Sequence, residues 1–334
     1  MKLFITGGAG FIGSNFIRNI LNKYPDYKIV NFDKLTYAGN LENLNDVAGA
    51  SRYTFVRGDI CDRAAVDAAI SGADVIINFA AESHVDRSIE GAAEFINTNV
   101  LGTQVLLDAA RAHHLSRFVQ ISTDEVMGSC NEDEFFVETS PLQPNSPYAA
   151  SKAAAEHLVR AASVTFGLDT VITRASNNYG PYQFPEKLIP LMIANALEDK
   201  SLPVYGDGLN VRDWLYVDDH CSAIDQVLHK GRTGEIYNIG SRAEKTNLEV
   251  VRALLDLLGK PHSLITYVKD RPGHDRRYAT DPAKLETECD WHPQESFESG
   301  MEKTVRWYQE NQAWVKRAQS GEYAEYYERM YGGR

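Results

Sequence analysis

Thr6-Gly-Gly-Ala-Gly-Phe-Ile-Gly13 is the stretch that decides the fold. It follows a short apolar run at residues 3–6 and opens a helical pattern at residues 14–21, which predicts a strand, a glycine-rich loop and a helix in succession. The glycines satisfy the G-x-G-x-x-G spacing and, counted from Gly7, the G-x-x-G-x-x-G spacing. Both spacings let the backbone approach a pyrophosphate at a helix N-terminus. We therefore expect a dinucleotide-binding loop.

An acidic residue follows the loop at the end of the next apolar run, residues 28–33. A carboxylate in the position of Asp33 accepts hydrogen bonds from the ribose 2′-hydroxyl and repels a 2′-phosphate. Lys34, beside it, carries the opposite charge and weakens that repulsion. We expect the cofactor to be NAD rather than NADP.

Apolar runs alternate with helical patterns through the first half of the chain. The runs fall at residues 3–6, 28–33, 53–58, 73–80, 117–123 and 168–174. This alternation predicts βαβ units and therefore an α/β fold, a Rossmann-type doubly wound parallel sheet with helices on both faces.

The regular alternation stops after Arg174 and returns later, which predicts a second, smaller and discontinuous lobe in the C-terminal part. We expect the strand signals at residues 214–218 and 235–239 to rejoin the sheet and the tail from Glu295 to be helical. The expected division assigns residues 1–175 and about 214–260 to the NAD-binding domain, and about 176–213 and 261–334 to the smaller lobe.

Composition excludes several classes of protein. A formal net charge of -12 on 334 residues argues against nucleic acid or an anionic membrane as partner. No apolar run reaches the length of a membrane span, and Met1 leads through one short run into glycines without a signal peptide, so we expect a cytoplasmic protein. The 4 cysteines are scattered and no close His/Cys cluster occurs, so we expect no metal.

Candidate catalytic residues follow the run at residues 117–123. Asp124 and Glu125 are adjacent carboxylates, and Tyr148 and Lys152 lie one helical turn apart. A lysine beside a phenol favours the phenolate, which can take a proton while a hydride leaves. The carboxylates indicate that a proton and a leaving group move as well, as in an internal redox elimination. The alternative is a helix-capping Asp beside a solvated Glu.

The glycine loop, the Tyr148/Lys152 pair and the alternating strands resemble the extended short-chain dehydrogenase/reductase family. Six further stretches resemble its dTDP-glucose 4,6-dehydratase branch: Asp33-Lys-Leu-Thr-Tyr-Ala-Gly-Asn40, Ala80-Ala-Glu-Ser-His-Val-Asp-Arg-Ser88, Ser122-Thr-Asp-Glu-Val126, Ser176-Asn-Asn-Tyr-Gly-Pro-Tyr-Gln183, Asn210-Val-Arg-Asp-Trp214 and Asp270-Arg-Pro-Gly-His274. The resemblance runs nearly end to end. Met127 departs from it, because the family usually has tyrosine there.

The resemblance implies a reaction and a role for each catalytic residue. Tyr148, tuned by Lys152, would deprotonate the glucose 4-hydroxyl while NAD takes the C4 hydride, and Thr123 would hydrogen-bond that hydroxyl. Glu125 would then remove the C5 proton and Asp124 would protonate the departing C6 hydroxyl. The hydride would return to C6, giving the 4-keto-6-deoxy sugar.

The resemblance also implies two sets of binding residues, the second of them for dTDP-glucose, held largely by the smaller lobe. Residues expected to contact NAD are Gly7, Gly10, Phe11, Ile12, Gly13, Asp33, Lys34, Leu35, Thr36, Asp59, Ile60, Phe79, Ala80, Ala81, Ser83, Thr98, Tyr148, Lys152 and Asn178. Residues expected to contact the nucleotide sugar are Ser83, His84, Thr123, Asn177, Lys187, Leu188, Pro203, Tyr205, Arg212, Asn247, Asp270, Arg271 and His274.

Two helical stretches, residues 98–114 and 148–163, carry more apolar surface than one core-facing stripe needs. The family pairs these helices across a dimer, so we expect a homodimer. Alternatives remain open at this point: a dehydratase of UDP-hexose or of another nucleotide sugar, an epimerase or decarboxylase of the same family, and a regulatory protein that binds NAD without turnover.

Overall fold

The computed structural model describes residues 1–320. Within them the strands are β1 (Lys2–Thr6), β2 (Lys28–Asp33), β3 (Tyr53–Arg57), β4 (Val75–Asn78), β5 (Arg117–Thr123), β6 (Thr170–Ala175), β7 (Asn177–Tyr179), β8 (Leu202–Tyr205), β9 (Val211–Tyr216), β10 (Ile236–Ile239), β11 (Glu244–Thr246) and β12 (Ile265–Val268).

Helices fill most of the connections. They are α1 (Phe11–Lys23), α2 (Arg63–Ile70), α3 (Val85–Glu90), α4 (Ala92–Phe95), α5 (Thr103–Ala112), α6 (Pro147–Phe166), α7 (Leu188–Leu197), α8 (Val217–Lys230), α9 (Asn247–Leu258), α10 (Ala283–Cys289), α11 (Phe297–Glu310) and α12 (Gln312–Ala318). A π-helical turn, Ile96–Gly102, joins α4 to α5, and short 3₁₀ turns occur at Leu41–Leu44, Asp124–Met127 and His262–Leu264. None of the helices up to residue 320 combines the length and apolar character of a membrane span.

A parallel sheet of 7 strands forms the centre, in the order β10-β6-β5-β4-β1-β2-β3. Successive side chains point to opposite faces, and the inner strands β1, β4, β5 and β6 are buried on both, whereas the edge strand β3 is partly exposed. Leu3 and Ile5 pack into one core cluster with α1 and α8, whereas Phe4 packs into another with α2 and α5. The prediction of a doubly wound Rossmann-type sheet is confirmed.

A second core cluster lies around α7, α9 and α11, beside two small sheets. We predicted that the strand signal near residue 214 rejoins the parallel sheet, and this is wrong. Strand β9 pairs instead with β7 and β11, because β7 continues the chain just past β6 and offers a parallel edge there. The strand predicted at residues 235–239 does rejoin the main sheet as β10.

The boundary between the lobes stays a prediction. Helix α9 buries Val250, Val251, Leu254 and Leu255 in the second cluster, which favours an earlier boundary than the predicted one near residue 260. The helical tail is confirmed in α11 and α12, and its continuation from residue 321 lies outside the described residues.

Candidate active site

A continuous cleft crosses the carboxyl edge of the parallel sheet. Its lining includes residues that follow β1, β2, β3, β4, β5 and β6, and it extends under the loop at residues 183–187. Ligands of open α/β sheets bind outside the carboxyl ends of the strands, where successive loops diverge. The cleft therefore occupies the expected place for both a dinucleotide and a second ligand.

The glycine-rich loop forms one end of the cleft and cannot accept side chains. Gly7 has a φ of 67°, and a Cβ on it would lie 2.5 Å from the backbone nitrogen of Ala80. A Cβ on Gly13 would lie 2.5 Å from the carbonyl oxygen of Gly7. The backbone can thus approach a ligand closely at the start of α1. These contacts fit the pyrophosphate of a dinucleotide.

Asp33 ends β2 and is held by two backbone donors. Its Oδ2 accepts from the Ala9 nitrogen at 2.9 Å and its Oδ1 from the Leu35 nitrogen at 2.8 Å. Burial raises the pKa of Asp33, and these two hydrogen bonds act in the opposite direction. Lys34 points its ammonium at the Asp59 carboxylate, 2.8 Å away. This ion pair offsets the charge of Lys34 next to Asp33, which favours NAD over NADP.

The predicted catalytic residues meet at the end of β5 and the start of α6. Thr123 closes the strand, and its Oγ1 accepts from the Glu125 nitrogen at 3.3 Å, so Thr123 is the cap of the 3₁₀ turn that carries the carboxylates. Ser146 caps α6 by accepting from the Ala149 nitrogen at 3.1 Å. Pro147 then begins the helix, and Tyr148 lies in its first turn, facing the cleft.

Lys152 is oriented by β5. Its ammonium donates to the carbonyl oxygen of Ile121 at 2.6 Å. Burial lowers the pKa of Lys152 to about 8, and the charge of Glu156 acts in the opposite direction. For Tyr148, burial and then the charge of Glu125 raise the pKa, while a hydrogen bond with Thr123 lowers it. The ammonium donates to the strand carbonyl and is not among the charges that act on the pKa of Tyr148 here, so the expected tuning of Tyr148 by Lys152 stays a prediction.

The two carboxyl groups occupy different electrostatic surroundings. Burial, and after it the charge of Glu125, raises the pKa of Asp124 well above its ordinary value. Burial also raises the pKa of Glu125, but the charges of Arg271, Lys187 and Arg212 act against that rise. Asp124 is thus the group that favours the protonated form, and Glu125 the one whose ionised form is stabilised by cations.

Asp124 has a free oxygen at the cleft. Its Oδ1 accepts from the Thr123 hydroxyl at 3.3 Å, and its Oδ2 is buried without a hydrogen-bond partner among residues 1–320. The alternative of a capping Asp beside a solvated Glu is wrong, since Thr123 is the cap and Asp124 is 1% exposed. A buried carboxyl group with a free oxygen can exchange a proton with a bound molecule.

Three cations converge on the carboxylates from different elements. Lys187 donates its ammonium to the carbonyl oxygen of Ser83 at 2.9 Å. The guanidinium of Arg212 lies 4.1 Å from the centre of the Tyr278 ring. Arg271 donates from Nη1 to Asp86 Oδ1 at 3.4 Å. In a chain with a net charge of -12, this local positive group suits an anionic ligand.

Most predicted residues line the cleft, although their contacts with ligands stay predictions. The cleft lining includes Gly7, Gly10, Phe11, Ile12, Gly13, Asp33, Lys34, Thr36, Asp59, Ile60, Phe79, Ala80, Ala81, Ser83, Thr98, Thr123, Asp124, Glu125, Tyr148, Lys152, Asn177, Asn178 and Lys187. The other predicted residues are not among those that line the cleft: Leu35, His84, Leu188, Pro203, Tyr205, Arg212, Asn247, Asp270, Arg271 and His274.

The predicted residues of the smaller lobe that lie outside the cleft lining form contacts with other residues of the protein. Tyr205, at the end of β8, donates its hydroxyl to Asp86 Oδ2 at 3.1 Å. The His274 ring nitrogen Nδ1 lies 2.6 Å from Asp270 Oδ1. Pro203 pairs with Thr266 in the small sheet of β8 and β12, so this edge of β8 stabilises the smaller lobe.

Several residues of the site were not predicted from the sequence. Asp86 joins Tyr205 to Arg271, Glu186 lies in the cleft lining beside Lys187, and His220 lines the cleft from the first turn of α8. The sequence motif that contains Asp86 was recognised. The role of Asp86 was not, because its partners Tyr205 and Arg271 are distant in sequence and no local pattern indicates them. Met127, the departure from the family pattern, is buried in a small cluster with Val126, Phe136 and Tyr278, where its sulfur lies 3.5 Å from Arg174 Nη1.

Comparison with known proteins agrees with this geometry. The sequence model of the family described as GDP-mannose 4,6 dehydratase matches residues 4–304. The chain is 52% identical over 361 aligned positions, covering 100% of both proteins, to the dTDP-glucose 4,6-dehydratase of Shigella flexneri. The chain belongs to the dTDP-glucose 4,6-dehydratase family.

Solved structures of dTDP-glucose 4,6-dehydratases share the whole fold. The Streptomyces venezuelae enzyme, crystallised with NAD and TYD bound, is 52% identical with a TM-score of 0.93, covering 95% of this chain and 100% of that one. The Bacillus anthracis enzyme in complex with NAD is 52% identical with a TM-score of 0.89, covering 95% and 99%. A Thermus thermophilus UDP-glucose 4-epimerase complex with NAD is more distant, 31% identical with a TM-score of 0.87, covering 93% and 100%.

Proposed function

We propose that this protein is an NAD-dependent hydro-lyase that converts dTDP-glucose to dTDP-4-keto-6-deoxyglucose. The observation that carries the proposal is the pair of adjacent carboxyl groups, buried Asp124 and half-buried Glu125, in the same cleft as Tyr148. Removing and returning a hydride at one carbon needs only the tyrosine and lysine. An elimination needs a further acid and a further base: burial raises the pKa of both carboxyl groups, well above the ordinary value at Asp124, and three cations oppose that rise at Glu125.

The cofactor-binding residues follow from the geometry of the loop. Gly7, Gly10 and Gly13 leave room for a pyrophosphate, and Asp33 is placed to accept from an adenosine ribose hydroxyl. The dTDP-glucose 4,6-dehydratases with similar folds were crystallised with NAD, which supports NAD here. When bound, NAD would supply the hydride acceptor at C4 and the hydride donor at C6.

Tyr148 would act first, as the base for the 4-hydroxyl. To take that proton Tyr148 must be the phenolate, which its hydrogen bond with Thr123 favours, whereas burial and the charge of Glu125 oppose it. Thr123, which hydrogen-bonds Tyr148, would hold the same hydroxyl. The resulting 4-ketone makes the C5 proton acidic.

Glu125 and Asp124 would then remove water across C5 and C6. Glu125 would take the C5 proton, because Arg271, Lys187 and Arg212 stabilise its charged form. Asp124, which favours its protonated form, would donate through the unpartnered oxygen to the departing C6 hydroxyl. The carboxyl groups thus divide the work of general base and general acid.

The cations of the smaller lobe would bind the diphosphate of the substrate. Arg212 and Arg271 can each present a bidentate guanidinium, and Lys187 contributes a point charge. Tyr205, at the end of β8 and joined to Arg271 through Asp86, would contact the base. Thymidine as that base rests on the relatives, which are named for dTDP-glucose.

We also propose a homodimer that uses the helices predicted for this purpose. Helices α5 and α6 pack side by side, and Leu106, Ala109 and Ala153 are buried within the subunit. Leu101, at the start of this face, remains 51% exposed. Light scattering should give the mass of two chains, and Leu101→Glu should shift the protein toward one.

A cytoplasmic location is supported by the thiols. Cysteines of proteins that fold in oxidising compartments are usually paired. All four cysteines here are free, and three of them, Cys130, Cys221 and Cys289, are buried. We therefore place the protein in a reducing compartment.

The experiment that tests the proposed function is incubation with dTDP-glucose and, in parallel, UDP-glucose. A product lighter by one water and carrying a 4-ketone, formed without net consumption of NAD, supports the dehydratase. An isomer of unchanged mass would identify an epimerase instead, and recovery of unchanged substrate would indicate a protein that binds NAD without turnover. Faster turnover of UDP-glucose than of dTDP-glucose would overturn the thymidine assignment alone.

A further inference from the structure

His220 is a fully buried histidine in the wall of the cleft, and the mechanism above does not use it. It lies in the first turn of α8, beside the glycine-rich loop, where the next residue, Cys221, places its sulfur 3.9 Å from the carbonyl oxygen of Ile12. The side chain is 0% exposed and yet belongs to the cleft lining. A histidine in this place needs partners for both ring nitrogens.

A chain of hydrogen bonds fixes which ring nitrogen carries the proton. The amide nitrogen of Asn178 donates to the carbonyl oxygen of Ser176 at 2.9 Å, which leaves Asn178 Oδ1 as an acceptor. His220 Nδ1 lies 2.8 Å from that oxygen and must therefore be the donor. The remaining nitrogen, Nε2, then carries a lone pair when the ring is neutral.

The ring is neutral at physiological pH. Burial lowers the pKa of His220 to about 3. The helix start at which it lies also disfavours a positive charge. Nε2 is consequently a buried acceptor, and it has no hydrogen-bond partner among residues 1–320.

We propose that Nε2 of His220 accepts a hydrogen bond from the carboxamide N–H of the nicotinamide ring and so orients that ring over the cleft. The described residues supply no donor to this nitrogen, and the carboxamide N–H of a nicotinamide bound in the cleft can supply one. His220 is linked through Asn178 to Ser176, which follows β6, and β6 pairs with β5, whose end carries Thr123 and is followed by Asp124. This is the reacting end of the cleft, whereas the adenosine end lies by Asp33. The pyrophosphate presents acceptors only and cannot satisfy this nitrogen.

The inference rests on the proposed use of NAD and makes His220 a positioning residue, not a proton carrier. Asn178 holds the His220 ring so that Nε2 is the acceptor, and this acceptor selects the orientation of the nicotinamide in which the carboxamide N–H faces His220. That selection decides which face of the nicotinamide ring meets the sugar. A purely structural histidine would have no such dependence on the chemistry of the cofactor.

The test compares NAD with its acetylpyridine analogue, in which a methyl ketone replaces the carboxamide and no N–H remains. Binding of both to cofactor-free protein is measured by titration calorimetry for the wild type, His220→Leu and the exposed control His157→Leu. The wild type and the control should prefer NAD by about tenfold, the size of one buried hydrogen bond. In His220→Leu the ratio of the affinity for NAD to the affinity for the analogue should fall to about one. The same NAD preference in His220→Leu as in the wild type would overturn the proposal.

ADP-ribose, which lacks the nicotinamide ring, separates this idea from the proposed function. It should bind His220→Leu as tightly as the wild type, and a protein that binds neither NAD nor ADP-ribose would contradict the proposed function itself. If the leucine variant does not fold, the proposal is tested by measuring the ¹⁵N chemical shift of His220 Nε2 in the wild type. The His220 Nε2 signal should shift with NAD and stay in place with ADP-ribose, and identical signals in the two complexes would overturn the proposal.

Discussion

The ammonium of Lys152 lies 2.6 Å from the carbonyl oxygen of Ile121, so the lysine of the Tyr148/Lys152 pair is anchored to β5. The charge is buried, and burial is the main reason that the pKa of Lys152 falls to about 8. The protein therefore holds a cation at the reacting end of the cleft at some cost in stability.

We predict a pH-dependent stability that comes from Lys152. Its pKa is about 8 in the folded chain and 10.5 ordinarily, so the folded chain binds fewer protons between these values and stability rises with pH there. Lys152→Met should remove this slope and stabilise the protein at pH 7 by up to about 3 kcal/mol. Urea unfolding across this pH range measures it, and the exposed Lys28→Met should keep the wild-type slope. An unchanged slope in Lys152→Met would show that the buried lysine does not titrate as described.

A second prediction concerns the first hydride transfer. Tyr148→Phe should slow the appearance of reduced nicotinamide by about 10² to 10⁴, the usual contribution of one general base. Lys152→Met should slow the same step, since the cation beside the reacting hydroxyl is lost. The measurement is stopped-flow absorbance after mixing with dTDP-glucose. A normal burst in Tyr148→Phe would mean that another group is the base.

The third prediction is that Asp33 determines cofactor choice together with the Lys34–Asp59 ion pair. Asp33→Ala should weaken NAD binding and reduce the difference in affinity between NAD and NADP, because a hydrogen-bond acceptor and a negative charge are both removed. Adding Asp59→Asn releases Lys34 and should improve NADP binding further. Titration of both cofactors measures this, with the exposed Asp26→Ala as control. Unchanged affinities in Asp33→Ala would contradict the assignment.

Asp86 carries the fourth prediction, because its two oxygens hold Tyr205 and Arg271 in place. Asp86→Ala should raise KM for dTDP-glucose by about tenfold and lower kcat by less, since Tyr205 and Arg271 both lose their support whereas Asp124, Glu125 and Tyr148 stay in place. Tyr205→Phe should give a smaller rise in KM. Steady-state kinetics and NAD titration are the measurements. Loss of NAD binding in Asp86→Ala would indicate general damage instead of nucleotide positioning.

The sequence predicted those parts of the protein in which local chemistry determines geometry. Gly7 and Gly13 must be glycine because a Cβ on either would collide with backbone, and that need is visible in the spacing of the loop glycines. Asp33 and Tyr148 follow from the positions of strand ends and helix starts. The central sheet could be predicted as well, because the alternation of strand and helix patterns is also a local property of the sequence.

The unpredicted features depend on contacts between distant residues. Strand β9 carries a normal strand pattern, and only the neighbouring edge of β7 assigns it to a small sheet. Asp86 meets Tyr205 and Arg271 through the packing of one lobe on the other. The direction of the Lys152 ammonium depends on a backbone carbonyl of β5, which no residue pattern encodes.

The last prediction separates Asp124 from Glu125, on which the dehydratase account depends. If Asp124 is the acid for the C6 hydroxyl, Asp124→Asn should still oxidise C4 but lose water slowly. Glu125→Gln should also oxidise C4 and then stall, because the C5 proton stays in place. The exposed Asp133→Asn and Glu132→Gln make the same chemical changes just outside the site and should behave as wild type.

The most direct measurement is the single-turnover elimination rate with a dTDP-glucose that carries fluorine in place of the C6 hydroxyl. Fluoride leaves with little protonation, so the account predicts that Asp124→Asn recovers most of its lost rate with this substrate and that Glu125→Gln recovers none. Exchange of the C5 proton with deuterium should likewise persist in Asp124→Asn and fall in Glu125→Gln. Equal recovery in both variants, or normal dehydration of dTDP-glucose by the double variant, would contradict the assignment of acid and base to this pair.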